Sequence, residues 1–397
     1  MKRGSTASYV LLGIIVAAVF FWTGITVDRT IALPVPPFGG TAGLSIATLG
    51  EAASIIENNY YRPDISPSQL TNGALRGFIS SLGDRFSAYL TPKEYKAEQE
   101  GFGGKYSGIG VYIEFTNDLP QVAGFIPDSP AEQAGIRIGD IIVAVNGVST
   151  KGMSANRVAS IIQGPAGTKV KITVERNGKD YTYSVARRHL VAPSVDAVIL
   201  PGNILYVRIY FFGSDTVSSL NYYLSKYVKK ASGLILDLRD NPGGYVTAAQ
   251  HVIGDFISNG TAFEFKTRSG VIEKQPVEGA KLALHIPMIT LVNGNTASAA
   301  EIVSSALQES GRSKLLGTKT FGKGSVQEDF VLRNGGDLHL TVMHWLTMDG
   351  KSINRIGIEP NIVVPMPKNA KEFDPLNKLI PYTEDPQLMA ALKLLRK

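Results

Sequence analysis

The chain has 397 residues, 44% of them apolar and 19% charged, with a net charge of +6. That balance excludes a disordered chain, and the length calls for two or three folding units. There is no cysteine, which removes disulfides, a thiol nucleophile, thiolate zinc sites and a lipidated N-terminal cysteine. The basic residues are scattered, with one dense cluster at Arg187-Arg188-His189, and read as a solvated surface rather than a nucleic-acid interface. The closest histidines, His339 and His344, fall at odd spacing on a predicted strand and face opposite sides, so no metal is expected.

Lys2 and Arg3 precede an apolar run from Tyr9 to Val27, nearly long enough to cross a hydrocarbon core. Positive charge on its N-terminal side sends the rest of the chain out of the cytoplasm. The expectation is a single-pass signal anchor in the cell membrane, with a cleaved signal peptide as the alternative. Pro34, Pro36, Pro37, Gly39 and Gly40 follow as a tether, which sets residues 1–44 apart.

Residues 45–98 read as a helical region. Leu49, Ala52, Ala53, Ile56 and Tyr60 keep a helical period, as do Leu75, Phe78, Ile79 and Leu82, with Pro63 and Pro67 between them. Neither helix carries visible chemistry. Residues 99–188 read as a small β-rich unit. Ser129-Pro130-Ala131-Glu132 is a capped helix start, and Gly135 ends that helix. Asp140–Val145 runs into an Asn146-Gly147 turn, a second helix spans about 154–162, and strands 169–176 and 181–187 join at Asn177-Gly178.

This stretch, with Ser-Pro-Ala, Ala-Gly-Ile, Gly-Asp and Val-Asn-Gly in order from Pro127 to Gly147, resembles a circularly permuted PDZ domain of bacterial proteases, a small β-barrel with two helices. Ser107, Gly108, Ile109, Gly110 and Val111 are similar to that family's carboxylate-binding loop. Its physics is a row of backbone N–H groups converging on a peptide's terminal carboxylate while the peptide adds as a strand.

From about residue 189 strands and helices alternate, as in an α/β domain. The apolar runs Gly233–Arg239 and Ile286–Val292 read as buried parallel strands. The first ends in Asp240-Asn241-Pro242-Gly243-Gly244. The second leads through Asn293-Gly294-Asn295-Thr296-Ala297 to Ser298, which opens a helix. A serine there serves equally as an N-cap or as a nucleophile beside free N–H groups and the positive end of the helix dipole. Lys323 follows 25 residues later in another glycine-flanked turn. A lysine kept neutral by burial can take the proton of a serine hydroxyl without any histidine. Its ordinary pKa of about 10.4 has to fall by roughly three units for that. The run Gly317–Lys323 copies most of a phosphate loop, but Gly324 stands where the magnesium-binding hydroxyl belongs, so nucleotide binding is not expected.

Three Gly- and Asn-rich strand ends, with Gly357-Ile358-Glu359-Pro360 further on, resemble the C-terminal processing peptidases of serine peptidase family S41. The resemblance covers about residues 45–365. It implies a ClpP/crotonase-like α/β protease core at 189–365 with the PDZ domain inserted before it, and no cofactor. It implies Ser298 as nucleophile, Lys323 as general base and Gln327 orienting the amine. The amide of Ala299 and that of Gly243 or Gly244 would form the oxyanion hole. Arg157, on the second PDZ helix, is a candidate gate contact. The tail 366–397 ends in a short amphipathic helix, expected against a partner subunit or the N-terminal helices.

The expected function is therefore a serine endopeptidase that takes exported or membrane-associated proteins by apolar C-terminal tails. It is expected to be a homodimer through its terminal helices, with no nucleic-acid partner. The alternative is a PDZ scaffold that binds tails without cutting them.

Overall fold

The computed structural model describes residues 46–62, 64–116, 119–153, 155–368 and 370–396. The apolar run at 9–27 and its linker lie outside the described residues, and so does Pro63. Contacts divide the chain into residues 1–70 and 71–397. In the first, helix α1 (Ile46–Asn59) carries the expected repeat, yet it buries none of its side chains. Helix α2 (Pro67–Ser80) buries Ile79. Among the described residues no helix is long and apolar enough to cross a membrane.

The rest of the expected helical region is different. After α2 the chain turns, forms strand β1 (Ala88–Leu90) and then helix α3 (Pro92–Phe102). The start of α3 is a capping box: Glu94 Oε2 accepts from the Thr91 amide at 2.8 Å, and Thr91 Oγ1 accepts from the Glu94 amide. The tetrapeptide Thr91-Pro92-Lys93-Glu94 carries that signal in plain sequence. β1 joins the protease sheet described below, so residues 84–102 are part of the core and not of a helical arm.

Strand β2 (Lys105–Gly108) leads into the small unit. It contains β3 (Val111–Thr116), β4 (Leu119–Phe125), α4 (Pro130–Gln133), β5 (Ile141–Val145), β6 (Val148–Ser149), α5 (Ala155–Ile162), β7 (Lys169–Arg176) and β8 (Lys179–Ala186). The sheet order is β3-β4-β5-β7-β8, with β6 on β5. Both Asn-Gly turns have positive φ at both residues, 50° and 81° at 146–147 and 52° and 72° at 177–178, as type I′ hairpins require. Strand β9 (Arg188–Val191) pairs with β2 and closes the neck. The basic cluster there is structural: Arg187 is buried and donates to the carbonyls of Ile161 and Ile162, the C-terminus of α5.

The core opens with β10 (Val195–Leu200), β11 (Ile204–Ile209) and α6 (Thr216–Tyr227), followed by β12 (Gly233–Asp237) and α7 (Val246–Phe256). Next come β13 (Thr261–Lys266), β14 (Ile272–Pro276), β15 (Met288–Val292), α8 (Ala299–Glu309) and β16 (Lys314–Gly317). Strands β17 (Ser325–Val331), β18 (Asp337–Leu346) and β19 (Ile362–Val363), then helix α9 (Pro386–Leu395), complete it. One sheet runs β10-β11-β12-β15-β16-β19, parallel from β11 onward. The other runs β1-β18-β13-β14 with β17 on β18. Alternation sorts the parallel strands. Leu205, Val207, Leu234 and Leu236 face α6, α7 and α8, while Ile204, Tyr206, Ile235, Ile289 and Leu316 face the other way.

That second face is covered by α9, whose Leu388, Ala391 and Leu392 are buried against it. The buried face of the tail helix thus packs on the sheet of its own core. Its anchor is polar and buried: Arg239 donates to Asp237, to both oxygens of Asp385 and to Gln387 Oε1. A buried arginine is retained where two carboxylates and an amide oxygen satisfy its fork. The segment before α9 is a strap. The Phe373 carbonyl accepts from Arg208, and Asp374 accepts from Tyr210, on the core side. The Lys378 amide donates to the Ala123 carbonyl of β4, and Asn377 donates to Glu114 of β3.

Candidate active site

Strands β12, β15 and β16 are neighbours in parallel, so the three glycine-rich turns that follow them emerge side by side. That is where open α/β sheets hold ligands. The turns are laced together. The Ala297 amide donates to the Asn241 carbonyl, Thr296 Oγ1 donates to the Leu238 carbonyl, and the Phe321 amide donates to the Thr296 carbonyl.

Ser298 occupies the N-cap position of α8 with φ 56° and ψ −119°. N-cap residues are normally extended. A β-carbon residue at this φ stores strain of about 1–3 kcal/mol, and such a strand-to-helix elbow thrusts a serine hydroxyl out of the turn. Ala299 is the first helical residue, and its amide has no backbone acceptor among the described residues.

Gly243 and Gly244 do different things. A β-carbon on Gly243 would lie 2.8 Å from Ser298 Cβ and 3.0 Å from the Ala299 nitrogen, so only glycine lets this turn touch the serine elbow. A β-carbon on Gly244 would instead strike the Phe212 carbonyl oxygen. Gly243 is therefore the glycine beside Ser298. Its amide is held by Asn241 Oδ1 at 2.9 Å, and Asn241 is buried and fixed in turn by the Ile209 carbonyl.

Glu301 joins the serine and lysine segments. It is fully buried on the first turn of α8. Its Oε2 accepts from the amides of Ser298 and Lys323, both at 2.9 Å. Its Oε1 accepts from Thr320 Oγ1 at 2.6 Å and from the Gly322 amide at 2.7 Å. One oxygen atom thus holds the backbones of both residues. The lysine loop is seated from its other side by Trp345, whose indole donates to the Lys323 carbonyl, and by Ile358, whose amide donates to Thr320 Oγ1.

The Lys323 amine does not hydrogen-bond to Ser298 Oγ among the described residues. It lies over the Phe86 ring, 5.1 Å from the centroid. Burial pulls its pKa below the ordinary lysine value, opposed by the carboxylates of Asp84, Glu98 and Glu301. Phe86 supplies an apolar face beneath the amine, while Phe321 is 45% exposed. Nothing in the sequence of residues 84–98 flagged them, because they reach the lysine only through β1 and α3.

Gln327 is not paired with Lys323. Its amide nitrogen donates to Ser325 Oγ at 2.9 Å and to Thr341 Oγ1 at 3.0 Å. Residues i and i+4 share a face only along one extended segment. Lys323 lies in the loop before β17, and the register slips between Val326 and Gln327, so the alternation is broken.

In the small unit, Ile109 and Gly110 lie between β2 and β3, and their N–H groups have no acceptor among the described residues. Their carbonyls are used: that of Ile109 accepts from Ser129 Oγ and the Ala131 amide, that of Gly110 from the Ile126 amide. Ser107 Oγ is 3.0 Å from His189 Nδ1. Val111 starts β3, which is an edge strand and so open to addition of a peptide strand. Arg157 is exposed on α5.

An α/β core with a serine on a strained strand-to-helix elbow, and a small permuted β-unit beside it, defines a class of PDZ-bearing serine peptidases. The family described as Peptidase family S41 matches residues 203–364, and the PDZ domain family matches residues 121–176. The chain is 36% identical over 326 residues to the carboxy-terminal processing protease CtpA of Bacillus subtilis (strain 168), covering 81% of this chain and 70% of that one. It is 34% identical to a probable CtpA-like serine protease of Staphylococcus aureus (strain N315), covering 83% of this chain and 66% of that protein. Among solved structures it resembles a photosystem II D1 C-terminal processing protease, with a TM-score of 0.50 and 28% identity over 81% of this chain and 87% of that one. The chain belongs to peptidase family S41 and is a serine-type endopeptidase of the C-terminal processing group.

Proposed function

We propose that Ser298 is the nucleophile and Lys323 the general base of an endopeptidase that engages exported proteins by their C-terminal tails. The observation that carries this reading is the Glu301 carboxylate, which clasps the Ser298 and Lys323 backbones at one atom. A tail adds as a strand to the edge of β3, and its carboxylate is received by the amides of the loop 107–111. The scissile bond then enters the cleft at the ends of β12, β15 and β16. The Lys323 chain swings from Phe86 onto the Ser298 hydroxyl and takes its proton as the oxygen attacks the carbonyl carbon. The Ala299 and Gly243 amides receive the oxyanion, the latter after release from Asn241. The lysine then gives its proton to the leaving amine, and water hydrolyses the acyl-enzyme by the same route. Gln327 turns to the amine in this state, and Arg157 gates the groove. The apolar run at 9–27 anchors or exports the chain, and a second copy joins through the terminal helices.

The test is an unfolded protein ending in apolar residues, offered with a free carboxylate or a C-terminal amide. Cleavage is expected to fall at least about tenfold on amidation, the loss of one charge-assisted carboxylate clamp. Equal cleavage of both removes tail recognition from the account.

The pH profile follows from the same geometry. The working base is the neutral amine, so activity rises as pH climbs through the lysine pKa and is lost below it. Asp84, whose own pKa is held down by hydrogen bonds from Ser87 and the Phe86 amide against the cost of its burial, raises that of Lys323. Asp84→Asn removes the charge and keeps an acceptor. The acid limb of kcat/KM is expected to move to lower pH. A limb that stays put separates Lys323 from the titration.

A further inference from the structure

We propose that Asp329, Asp337 and His339, with Glu98 beside them, form a binding site for a divalent transition cation, Zn²⁺ or Mn²⁺ by its donors. Pairing of β17 with β18 sets Asp329 directly opposite His339. Asp337, two residues earlier on β18, shares the His339 face. Ligand atoms of the three lie within 4.8 Å of one another. Helix α3 brings Glu98 to the same place, where it interacts with both His339 and Asp329.

The arrangement is short of positive charge and of donors. Asp337 is fully buried, yet neither of its carboxylate oxygens has a hydrogen-bond partner. Glu98 Oε2 is buried and unpartnered as well. Burying carboxylate oxygens without donors is costly, and a cation relieves the cost where a proton only removes the charge.

His339 is already oriented. Its Nδ1 is 2.7 Å from Asp329 Oδ1, and Asp329 Oδ2 accepts from Gln99 at 3.1 Å. Such a carboxylate–imidazole pair is how proteins fix ligating histidines. An imidazole nitrogen among carboxylate oxygens suits Zn²⁺ or Mn²⁺ better than Ca²⁺ or Mg²⁺, which favour oxygen alone. The side chains of His339 and Asp329 are 23% and 30% exposed, so the site opens to solvent. Glu98 lies far from the other three in sequence, and the histidine spacing that argued against a metal covers only His339 with His344.

Calorimetric titration of the metal-free full chain with ZnCl₂ at pH 7.5 tests the proposal, with MgCl₂ as the comparison. One Zn²⁺ per chain is expected, with Mg²⁺ far weaker. Asp337→Asn and His339→Gln are each expected to weaken Zn²⁺ binding by more than about tenfold, with the circular-dichroism spectrum unchanged. If Asp337→Asn does not fold, His339→Gln decides alone. No Zn²⁺ binding by the wild type, or binding that Asp337→Asn leaves intact, overturns the site. The latter would assign the metal to stray surface histidines.

Discussion

Ser298→Ala is expected to abolish peptide-bond hydrolysis, lowering kcat by a factor on the order of 10⁴ to 10⁶. No other described oxygen nucleophile stands on a strained elbow beside the Ala299 amide and Gly243. Lys323→Ala is expected to fall nearly as far, because an unassisted hydroxyl is a poor nucleophile at neutral pH. The double variant should cost no more than Ser298→Ala alone, since the two act as one unit. Single-turnover cleavage of an unfolded substrate, with all three variants checked for a native melting transition, is the measurement. Substantial activity in Lys323→Ala would remove the lysine from the chemistry, and substantial activity in Ser298→Ala would remove the nucleophile.

Glu301→Gln is expected to damage both stability and rate. The wild-type carboxylate serves four donors, three amides and a hydroxyl. A carboxamide offers one oxygen and turns an NH₂ group toward donors that need an acceptor. Leaving buried donors unsatisfied costs about 1–3 kcal/mol each. The expected loss is about 3 kcal/mol or more in urea unfolding, with kcat reduced because the elbow and the lysine loop are no longer held at one atom. Glu301 is a positioning residue, so Glu301→Asp, which keeps the charge, should recover part of the rate. Wild-type unfolding and kcat in Glu301→Gln would mean that the neighbouring turns alone hold the site.

Glu301 also shows where reading the sequence stopped short. Its place three residues after Ser298 marks a capping box, and half of that box forms, with the carboxylate taking the Ser298 amide. The other half of its work, on Thr320, Gly322 and Lys323, depends on β16 lying next to β15. Local spacing does not encode that adjacency. The same holds for Asp84, Phe86 and Glu98 around the lysine amine, which come from a stretch read as a plain helical arm. Gln327 shows the opposite case. A single bulge in β17 interrupts the strand alternation, and its amide is turned to Ser325 and Thr341.

The strap at 373–378 extends the point. Tyr210 and Arg208 hold it at the end of β11, and Glu114 and Ala123 hold it on the PDZ domain. A β-carbon on Gly124 would meet the Leu376 carbonyl oxygen, so that strand is glycine where the strap crosses it. The tail helix follows the same logic. Its amphipathic face was legible, but which surface it covers was not, because every apolar face competes for every other by area alone.

Short-range chemistry in this chain is written in its residues: the Asn-Gly hairpins, the Ser129 cap, the alternating strands and helices, and the glycine-flanked Ser298 and Lys323. These follow from backbone sterics and hydrogen bonds spanning a few residues. What only folding decided is which groups surround the lysine, which glycine touches the serine, and which sheet face the last helix buries. Those depend on strand order and register, where contacts between residues tens to hundreds apart in sequence are settled by packing and by pairing every buried polar group.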